Sequence, residues 1–242
     1  VKPSSVVTTT GGYGPLTWPG EVRGTASDAL SGVVQVALRC SRADSGAFWN
    51  GLNWVSEETW VVASGTTSWG LALPETDLPE AVTLTVVSVS RDAAGNEQAL
   101  GAGTTLHYDS TSPSGTFAIA GAGVVAVPAA SVSLVSEVTG AVRMRFRNAG
   151  GSWSVWQPYE STRAWSLATG GGAKTVDAEY QDEVSNGLAL TDSVLLDTVA
   201  PLTTVVTAGG YGPSSWLGNV AGTAVDSTSG LAAVSVSIQR LP

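Results

Sequence analysis

Cysteine, histidine and basic residues are scarce in this chain of 242 residues, and each scarcity excludes a class of protein. One cysteine allows no internal disulfide. Lysine and arginine together number 11 against 20 acidic residues, a net charge of −9, so we expect no nucleic-acid partner. No apolar run reaches the roughly 18 residues of a membrane span, and no signal peptide precedes the first strand pattern. We therefore expect no membrane insertion and a mature or internal segment.

Residues typical of catalysis are equally few. His107 is the only histidine, in the alternating run at residues 105–108, and neither a Cys–His pair nor a serine-centred elbow accompanies it. Cys40 shares a strand face with Val36 and Leu38, which favours core packing over a reactive thiol. The paired carboxylates of glycoside hydrolysis cannot be placed across a cleft from spacing alone. We predict that the segment is not an enzyme.

Glycine is plentiful instead, with 29 residues, while charged residues make up only 13%. This composition indicates short strands and many turns, hence an all-β class. Period-two alternation marks strands at residues 34–40, 142–147 and 234–239. The run at residues 82–90 changes phase between Val86 and Val87, which indicates either a β-bulge or a strand buried on both faces. No segment has a helical period, so almost no helix is expected.

The pentapeptide Gly-Gly-Tyr-Gly-Pro occurs twice, at residues 11–15 and 209–213. Either it binds something twice or it belongs to a repeated module. The similarity continues without a gap at a constant offset of 198 residues: Trp18 corresponds to Trp216 and Asp28 to Asp226. The sequence therefore predicts a duplicated module.

Two segments, at residues 108–113 and 196–201, look like joints between modules. Each has an acidic residue a few positions before a proline, directly after a β-rich run, and proline ends strands. We predict one module (type A) at residues 1–110, a second (type B) at 111–198 and the N-terminal part of another type A module at 199–242. About three strands cannot close a sandwich core, so the last should be disordered, finished by further residues or completed by another chain.

Several stretches resemble the bacterial Ig-like and fibronectin-type-III-like tandem repeats of large secreted or surface proteins. They are residues 24–33, 92–96, 144–159 and 197–201. The resemblance implies tandem Ig-like antiparallel β-sandwich domains, the last one incomplete. It also implies an extracellular, non-catalytic role as a stalk, adhesin or filament module, whose partners are neighbouring copies or adjacent modules. The alternative is a carbohydrate-binding or spacer module attached to a secreted enzyme. Module B lacks the signature of residues 24–32, so two module types alternate.

Aromatic residues cluster in module B and suggest a glycan site, because aromatic faces stack on sugar rings. The candidates are Trp153, Trp156, Tyr159 and Trp165. Alternatively, they fill the sandwich and cover strand edges. Trp153 and Trp156 are three residues apart, which on a regular strand places them on opposite faces, so they form one platform only if a bulge intervenes.

Charged residues alternate on two strands of module B. Arg143, Arg145 and Arg147 share one face, as do Asp177 and Glu179. These strands are neighbours in an Ig-type sandwich, so we predict cross-strand ion pairs. An anion-binding patch is the alternative.

Calcium is the one candidate cofactor, because joints and hairpin ends supply the oxygen ligands that it requires. The candidates are Asp28, Asp92, Asn96 and Asp109 around the first joint, and Asp182, Asn186 and Asp197 around the second. Some related Ig-like repeats are stiffened by interdomain calcium. However, no run matches an EF-hand, and Asp and Asn are also ordinary turn and cap residues.

Overall fold

The structure, a computed structural model, describes residues 1–239 and is almost entirely β. One turn of 3-10 helix, Glu75–Asp77, is the helical element of the described chain. The part of the chain that the structure describes holds no helix long and apolar enough to cross a membrane. Two compact units are present. The first comprises Val1–Pro113, Gly140–Val142 and Gln181–Leu188, and the second comprises Ser114–Thr139, Arg143–Tyr180 and the chain from Ala189 onward. The module boundaries at 110/111 and 198/199 stay a prediction.

Residues 1–113 form two sheets. Strands β1 to β11 are, in order, Ser4–Val7, Gly11–Tyr13, Glu21–Ser27, Val33–Arg42, Phe48–Trp49, Trp54–Val55, Val61–Val62, Ser64–Gly65, Ser68–Ala72, Ala81–Asp92 and Thr104–Asp109. One sheet has the order β1-β3-β9-β8; the other has the order β2-β11-β10-β4-β5-β6, with β7 pairing to β4. All pairs are antiparallel except the parallel β2–β11 pair. Two such sheets around one core are the Ig-like arrangement, as predicted.

Period-two alternation is what fixes the inward face of β4. Val36, Leu38 and Cys40 are buried at 0–1% exposure, while the residues between them are more exposed. Burial raises the pKa of the Cys40 thiol to about 12, because the interior disfavours a thiolate. The prediction that Cys40 packs in the core is confirmed.

The phase change in β10 has a simple cause. Val86 and Val87 are both buried, and β10 keeps its register with β4 from Leu84 as far as Arg91. The register shifts only between Arg91 and Asp92. Of the two alternatives, the structure shows a strand buried on both faces at Val86–Val87, with the irregularity at the strand's end.

The next stretch forms two further sheets. Strands β12 to β19 are Ser114–Ile119, Ala126–Val127, Ser131–Thr139, Arg143–Asn148, Gln157–Pro158, Thr162–Ser166, Gly172–Gln181 and Gly187–Leu196. The sheet orders are β12-β14-β17 and β13-β19-β18-β15-β16. Phe146 and Tyr180 are fully buried between them, and the Tyr180 hydroxyl lies 2.7 Å from Ser136 Oγ. The predicted adjacency of the Arg143–Arg147 and Asp177–Glu179 strands, β15 and β18, is confirmed.

The described residues after 198 form two strands that correspond to β1 and to the second half of β3. β20 (Leu202–Val205) pairs with β21 (Gly222–Val225). Thr203 lies opposite Ala224, the register that the 198-residue offset predicts from the pairing of Ser5 with Ala26. The apolar side chains here are exposed, as at Leu202, Val205 and Val225, at 57–65%.

Candidate functional site: the glycine turns and the arginine–tryptophan face

The first Gly-Gly-Tyr-Gly-Pro sequence opens a turn that we call the first glycine turn, residues 11–18. The Gly14 amide donates to Thr17 Oγ1 at 2.8 Å, and the amides of Thr17 and Trp18 donate to the Gly14 carbonyl at 3.0 and 2.9 Å. Tyr13 packs edge-on against Trp18, with ring centroids 5.3 Å apart. Neighbouring residues thus supply most of the bonds that shape this turn.

The second glycine turn, residues 209–216, has the same turn hydrogen bonds, although Gly11–Tyr13 is strand β2 and residues 209–211 are not in a strand. The Gly212 amide donates to Ser215 Oγ at 2.8 Å, and the amides of Ser215 and Trp216 donate to the Gly212 carbonyl at 3.0 and 3.1 Å. Tyr211 again packs edge-on against Trp216, at 5.6 Å. The repeated sequence therefore encodes a repeated conformation.

A second loop of the first unit, residues 182–186, is held by its own first residue. Asp182 Oδ1 accepts hydrogen bonds from the amides of Val184 at 2.9 Å and Asn186 at 2.8 Å. Ser185 has a φ of +76°, the conformation that such a tight turn requires. This pattern leaves the side chains of Val184 and Asn186 on the loop's packing side, where they are buried.

The first glycine turn is where this 182–186 loop packs. A Cβ added to Gly12 would lie 2.9 Å from Val184 Cγ1, and one added to Gly14 would lie 2.8 Å from Asn186 Oδ1. Asn186 Nδ2 also donates to the carbonyl oxygens of Asp109 at 2.8 Å and Thr111 at 3.3 Å. Glycine is needed here because the loop backbone and side chains approach too closely for any Cβ. The predicted joint residues are thereby tied to the loop.

The 92–96 loop is the same turn in different surroundings: its Ala93 amide donates to the Gly32 carbonyl at 3.1 Å. Asp92 Oδ1 accepts from the Asn96 amide at 2.7 Å, and Asn96 Nδ2 donates to Asp92 Oδ2 at 2.8 Å. Gly95, with a φ of +86°, takes the place of Ser185. Ala94 and Asn96 are exposed, whereas the corresponding Val184 and Asn186 are buried. The two loops share the turn and its asparagine, and they differ at the third side chain, which is Ala94 in one and Val184 in the other.

In the second unit, Arg143, Arg145, Arg147, Trp153 and Trp156 form a surface that we call the arginine–tryptophan face. The Trp153 ring has the guanidinium groups of Arg145 and Arg147 at 4.8 and 4.4 Å from its centroid. The Trp156 ring has those of Arg143 and Arg145 at 5.2 and 4.5 Å. Each indole is therefore contacted by two cations, an attractive arrangement for a π system.

Acidic residues of β18 complete this face, as the sequence predicts. Arg145 Nε donates to Glu179 at 2.6 Å, and Arg147 Nε donates to Asp177 at 2.8 Å. The hydrogen bond from Arg147 lowers the pKa of Asp177 below its usual value. The carboxylates of Glu179 and Asp177 neutralise the charges of Arg145 and Arg147, which counts against the anion-binding alternative.

The four aromatic glycan candidates have different surroundings, and a glycan site stays a prediction. Residues 149–156 are not a strand, so the expectation of opposite faces does not apply, and Trp153 and Trp156 both contact Arg145. Tyr159 accepts from the Val138 amide and donates to the Ser136 carbonyl. Trp165 donates to Asn148 Oδ1 at 3.1 Å and packs on Phe146.

The first unit has two sheets around one core, residues 114–196 form two more, and β20 pairs with β21 in the register of β1 with β3. The chain has an immunoglobulin-like β-sandwich fold. Its structural neighbours are fibronectin-III-like and Ig-like tandem domains, several of them from bacterial adhesins and cell-surface proteins.

Neither a family model nor a curated protein matches the chain. Among solved structures, it is similar to fibronectin(III)-like modules of Clostridium thermocellum CbhA, at 9% identity and a TM-score of 0.45, over 80% of this chain and 94% of that one. A 1.5-MDa bacterial ice-binding adhesin is similar at 12% identity and a TM-score of 0.34, over 86% and 70%. A tetra-tandem repeat from the extending region of a large adhesion protein is similar at 18% identity and a TM-score of 0.27, over 76% and 47%. These likenesses concern the fold alone.

The calcium candidates mostly accept hydrogen bonds from the main chain. Asp28 Oδ2 accepts from the amides of residues 30–32, bonds that lower its pKa. Asp197 accepts from Ser229 and Val199, which lowers its pKa in the same way. The Asn96 side chain lowers the pKa of Asp92.

Of the calcium candidates, the structure brings Asp182, Asn186 and the carbonyl of Asp109 together in the first unit. Asp92 and Asn96 form a second group, and Asp28 lies close enough to act on the pKa of Asp92, which it raises against the larger effect of Asn96. Within residues 1–239, no group of three or more His, Cys, Asp or Glu side chains is arranged to hold a metal ion. Carbonyl and amide oxygens lie outside that search, so calcium binding stays a prediction.

Sequence reasoning missed the contact between the 182–186 loop and the first glycine turn. Gly12 and Val184 are far apart in the chain, and neither motif names the other. The one signal was the valine at the third loop position, where the exposed 92–96 loop has alanine.

Proposed function

We propose that this chain is a non-catalytic structural or adhesive segment of an extracellular bacterial surface protein, in which Ig-like modules act as an extended stalk or assembly unit. The observation that carries the proposal is the packed cluster of the first unit. There, Asn186 holds the carbonyls of Asp109 and Thr111 while Val184 and Asn186 fill the space over Gly12 and Gly14. A predicted joint fixed by buried contacts suits a protein that bears tension or keeps a spacing.

The residues that catalysis would use have structural surroundings. Cys40 is buried with a raised pKa, so its thiolate is disfavoured. His107 is exposed on β11, where its Nδ1 lies 3.2 Å from Thr83 Oγ1. The net charge of −9 disfavours nucleic acid as a partner.

Neighbouring copies or adjacent modules are the partners that this proposal requires. β20 and β21 present a short antiparallel pair whose apolar side chains, including Leu202 and Val205, are exposed. Such a pair is too small to be stable by itself and gains from further strands. Further residues of the same module, an adjacent module or a neighbouring copy would supply them.

Negative-stain electron microscopy of the purified chain at high concentration tests the proposal. We expect rods, fibres or sheets rather than compact particles. Repeating the experiment with a calcium chelator tests the predicted calcium sites, because fibres that depend on the ion would disperse. Compact, featureless particles in both conditions would refute the structural role.

A further inference from the structure

Asparagine followed by glycine occurs at two places in the chain, Asn50–Gly51 and Asn186–Gly187. In this dipeptide the glycine nitrogen can attack the asparagine side chain, because glycine has no Cβ to hinder the approach. The structure gives the two asparagines opposite surroundings. Asn50 is exposed in the turn between β5 and β6, whereas Asn186 is 9% exposed and packed in the 182–186 loop.

The turn between β5 and β6, residues 50–53, is closed by its own main chain. The Asn50 amide donates to the Asn53 carbonyl at 3.0 Å, and the flanking residues Trp49 and Trp54 lie opposite each other in the hairpin. Gly51 has a φ of +97°, in the left-handed region that favours glycine. The fold therefore requires the same glycine that makes the dipeptide reactive.

Two main-chain amides hold the side-chain carbonyl of Asn50. Its Oδ1 accepts hydrogen bonds from the amide of Leu52 at 2.9 Å and from the amide of Asn53 at 2.8 Å. Two N–H donors on one carbonyl oxygen stabilise the negative charge that develops there when a nucleophile adds to Cγ. Among the described residues, none accepts a hydrogen bond from Asn50 Nδ2, and Asn50 is exposed. The nitrogen that would leave is therefore open to water.

Asn186 has the reverse arrangement, because its hydrogen bonds hold the leaving nitrogen. Its Nδ2 donates to the carbonyl of Asp109 at 2.8 Å, to that of Thr111 at 3.3 Å and to Asp182 Oδ2 at 2.8 Å. The side chain must leave these partners before it can react. A reaction that needs local opening proceeds only from the small open population, so we expect the fold to protect Asn186.

We propose that Asn50 is a site of spontaneous deamidation, promoted by the main chain of its own turn. The Gly51 nitrogen gives its proton to hydroxide and forms a bond to Asn50 Cγ, and the Cγ–Nδ2 bond breaks. Nδ2 takes a proton from water and leaves as ammonia, so that a cyclic imide remains and hydroxide is regenerated. Water then opens the imide at either carbonyl carbon, which gives aspartate or isoaspartate. Each event adds a negative charge to the turn, and isoaspartate also lengthens its backbone by a carbon atom.

Peptide mass spectrometry of the 242-residue chain, incubated at mildly alkaline pH, tests this inference. Native and urea-unfolded samples are followed side by side through the mass increase of each asparagine peptide, and fragmentation distinguishes isoaspartate from aspartate. In the unfolded chain Asn50 and Asn186 should react at similar rates, because both precede glycine. In the native protein Asn50 should react faster than when unfolded, or at most about threefold slower, because the two amides stay on its carbonyl. Asn186 should react at least about tenfold slower in the native protein than in the unfolded chain.

Asn53 is the control within the same turn, because it is exposed but precedes Trp54 rather than glycine. It should stay unconverted while Asn50 reacts. The variant Asn50→Ser keeps a side-chain oxygen in the turn and should abolish the mass increase of that peptide, which assigns the increase to Asn50.

A native rate at Asn50 below the expected range would show that the turn protects the asparagine, and the inference would be wrong. Conversion of Asn53 or Asn186 in the native protein at the rate of Asn50 would also overturn it, since the surroundings would then have no effect. The site lies within the first unit and does not depend on the proposed function. Rods or compact particles seen by electron microscopy therefore decide the structural role separately.

Discussion

Replacing Asn186 by alanine should release the joint residues of the first unit, and Asn96→Ala should not. Both asparagines close the same five-residue turn and donate to its aspartate. Only Asn186 also donates to the carbonyls of Asp109 and Thr111, at 2.8 and 3.3 Å. The difference between the two variants therefore isolates the bonds that leave the loop.

The size of the effect follows from those two bonds. A net contribution of about 0.5–1.5 kcal/mol per hydrogen bond gives roughly 1–3 kcal/mol for the pair. The longer bond, to Thr111, and the exposure of that residue favour the lower half of the range. We expect local opening of residues 182–188 to become about tenfold more frequent, since 1.4 kcal/mol is tenfold in an equilibrium constant.

Amide hydrogen exchange measured by mass spectrometry reads this opening directly. The amides of Val184 and Asn186 bond to Asp182 and report on the loop. The Thr111 amide bonds to Asp109 and reports on the joint. For Asn96→Ala, the corresponding measurement is amide exchange in residues 92–98. Equal acceleration in the two loops, or no acceleration at residues 109–113 in the Asn186 variant, would refute the assigned role of the asparagine.

Three further predictions concern packing, ionisation and the arginine–tryptophan face. Val184→Ala removes two buried methylene equivalents at about 0.8 kcal/mol each and should speed amide hydrogen exchange at Gly14. Ala94→Val, on the exposed loop, should leave the exchange rates of residues 92–96 unchanged. Equal changes in exchange in the two variants would contradict the docking role of the valine. Cys40 should resist a thiol reagent at pH 8 until urea unfolds the chain, and labelling of the native protein would show that the core is open. Its pKa is raised from 9.0 to about 12 in the folded protein, so between these pH values the folded protein keeps a proton that the unfolded chain loses. The free energy of unfolding should therefore fall from about pH 9 to 12. Arg145→Ala should lower the free energy of unfolding, measured in urea, by about 1–2 kcal/mol, because Arg145 contacts two indole rings. Arg163→Ala is the control, because the ion pair of Arg163 with Glu160 is exposed, and it should cost about 0.5 kcal/mol or less. Similar losses in the two variants would show that the indole contacts add nothing to stability.

Regular strands are the part of this fold that sequence predicts well. Period two in β4 gave the inward face with Cys40, and the same period in β15 and β18 gave the ion pairs of Arg145 and Arg147. The repeat offset predicted a duplicated module, and β20 pairs with β21 in the register of β1 with β3 at that offset. These predictions succeed because side chains alternate strictly along a strand, so a pattern fixes a face.

The contacts of irregular segments could not be predicted from the sequence. Trp153 and Trp156 contact the same arginine because residues 149–156 leave the strand geometry, and spacing alone carries no information there. The docking of Val184 on Gly12 depends on two turns far apart in the chain. Each turn is legible from its own residues, but the contact between them depends on tertiary packing, which local rules do not encode.

Two turns of this chain each occur in two copies, so the hydrogen bonds of the copies can be compared. The glycine turn occurs twice, and its hydrogen bonds differ by at most 0.2 Å between the copies. These bonds within the turn are therefore enough to define its conformation. The Asp-x-x-[Gly/Ser]-Asn turn likewise occurs once docked and once exposed. A turn and a loop that are each held by their own hydrogen bonds lose little conformational freedom when they pack together, as the first glycine turn and the 182–186 loop do.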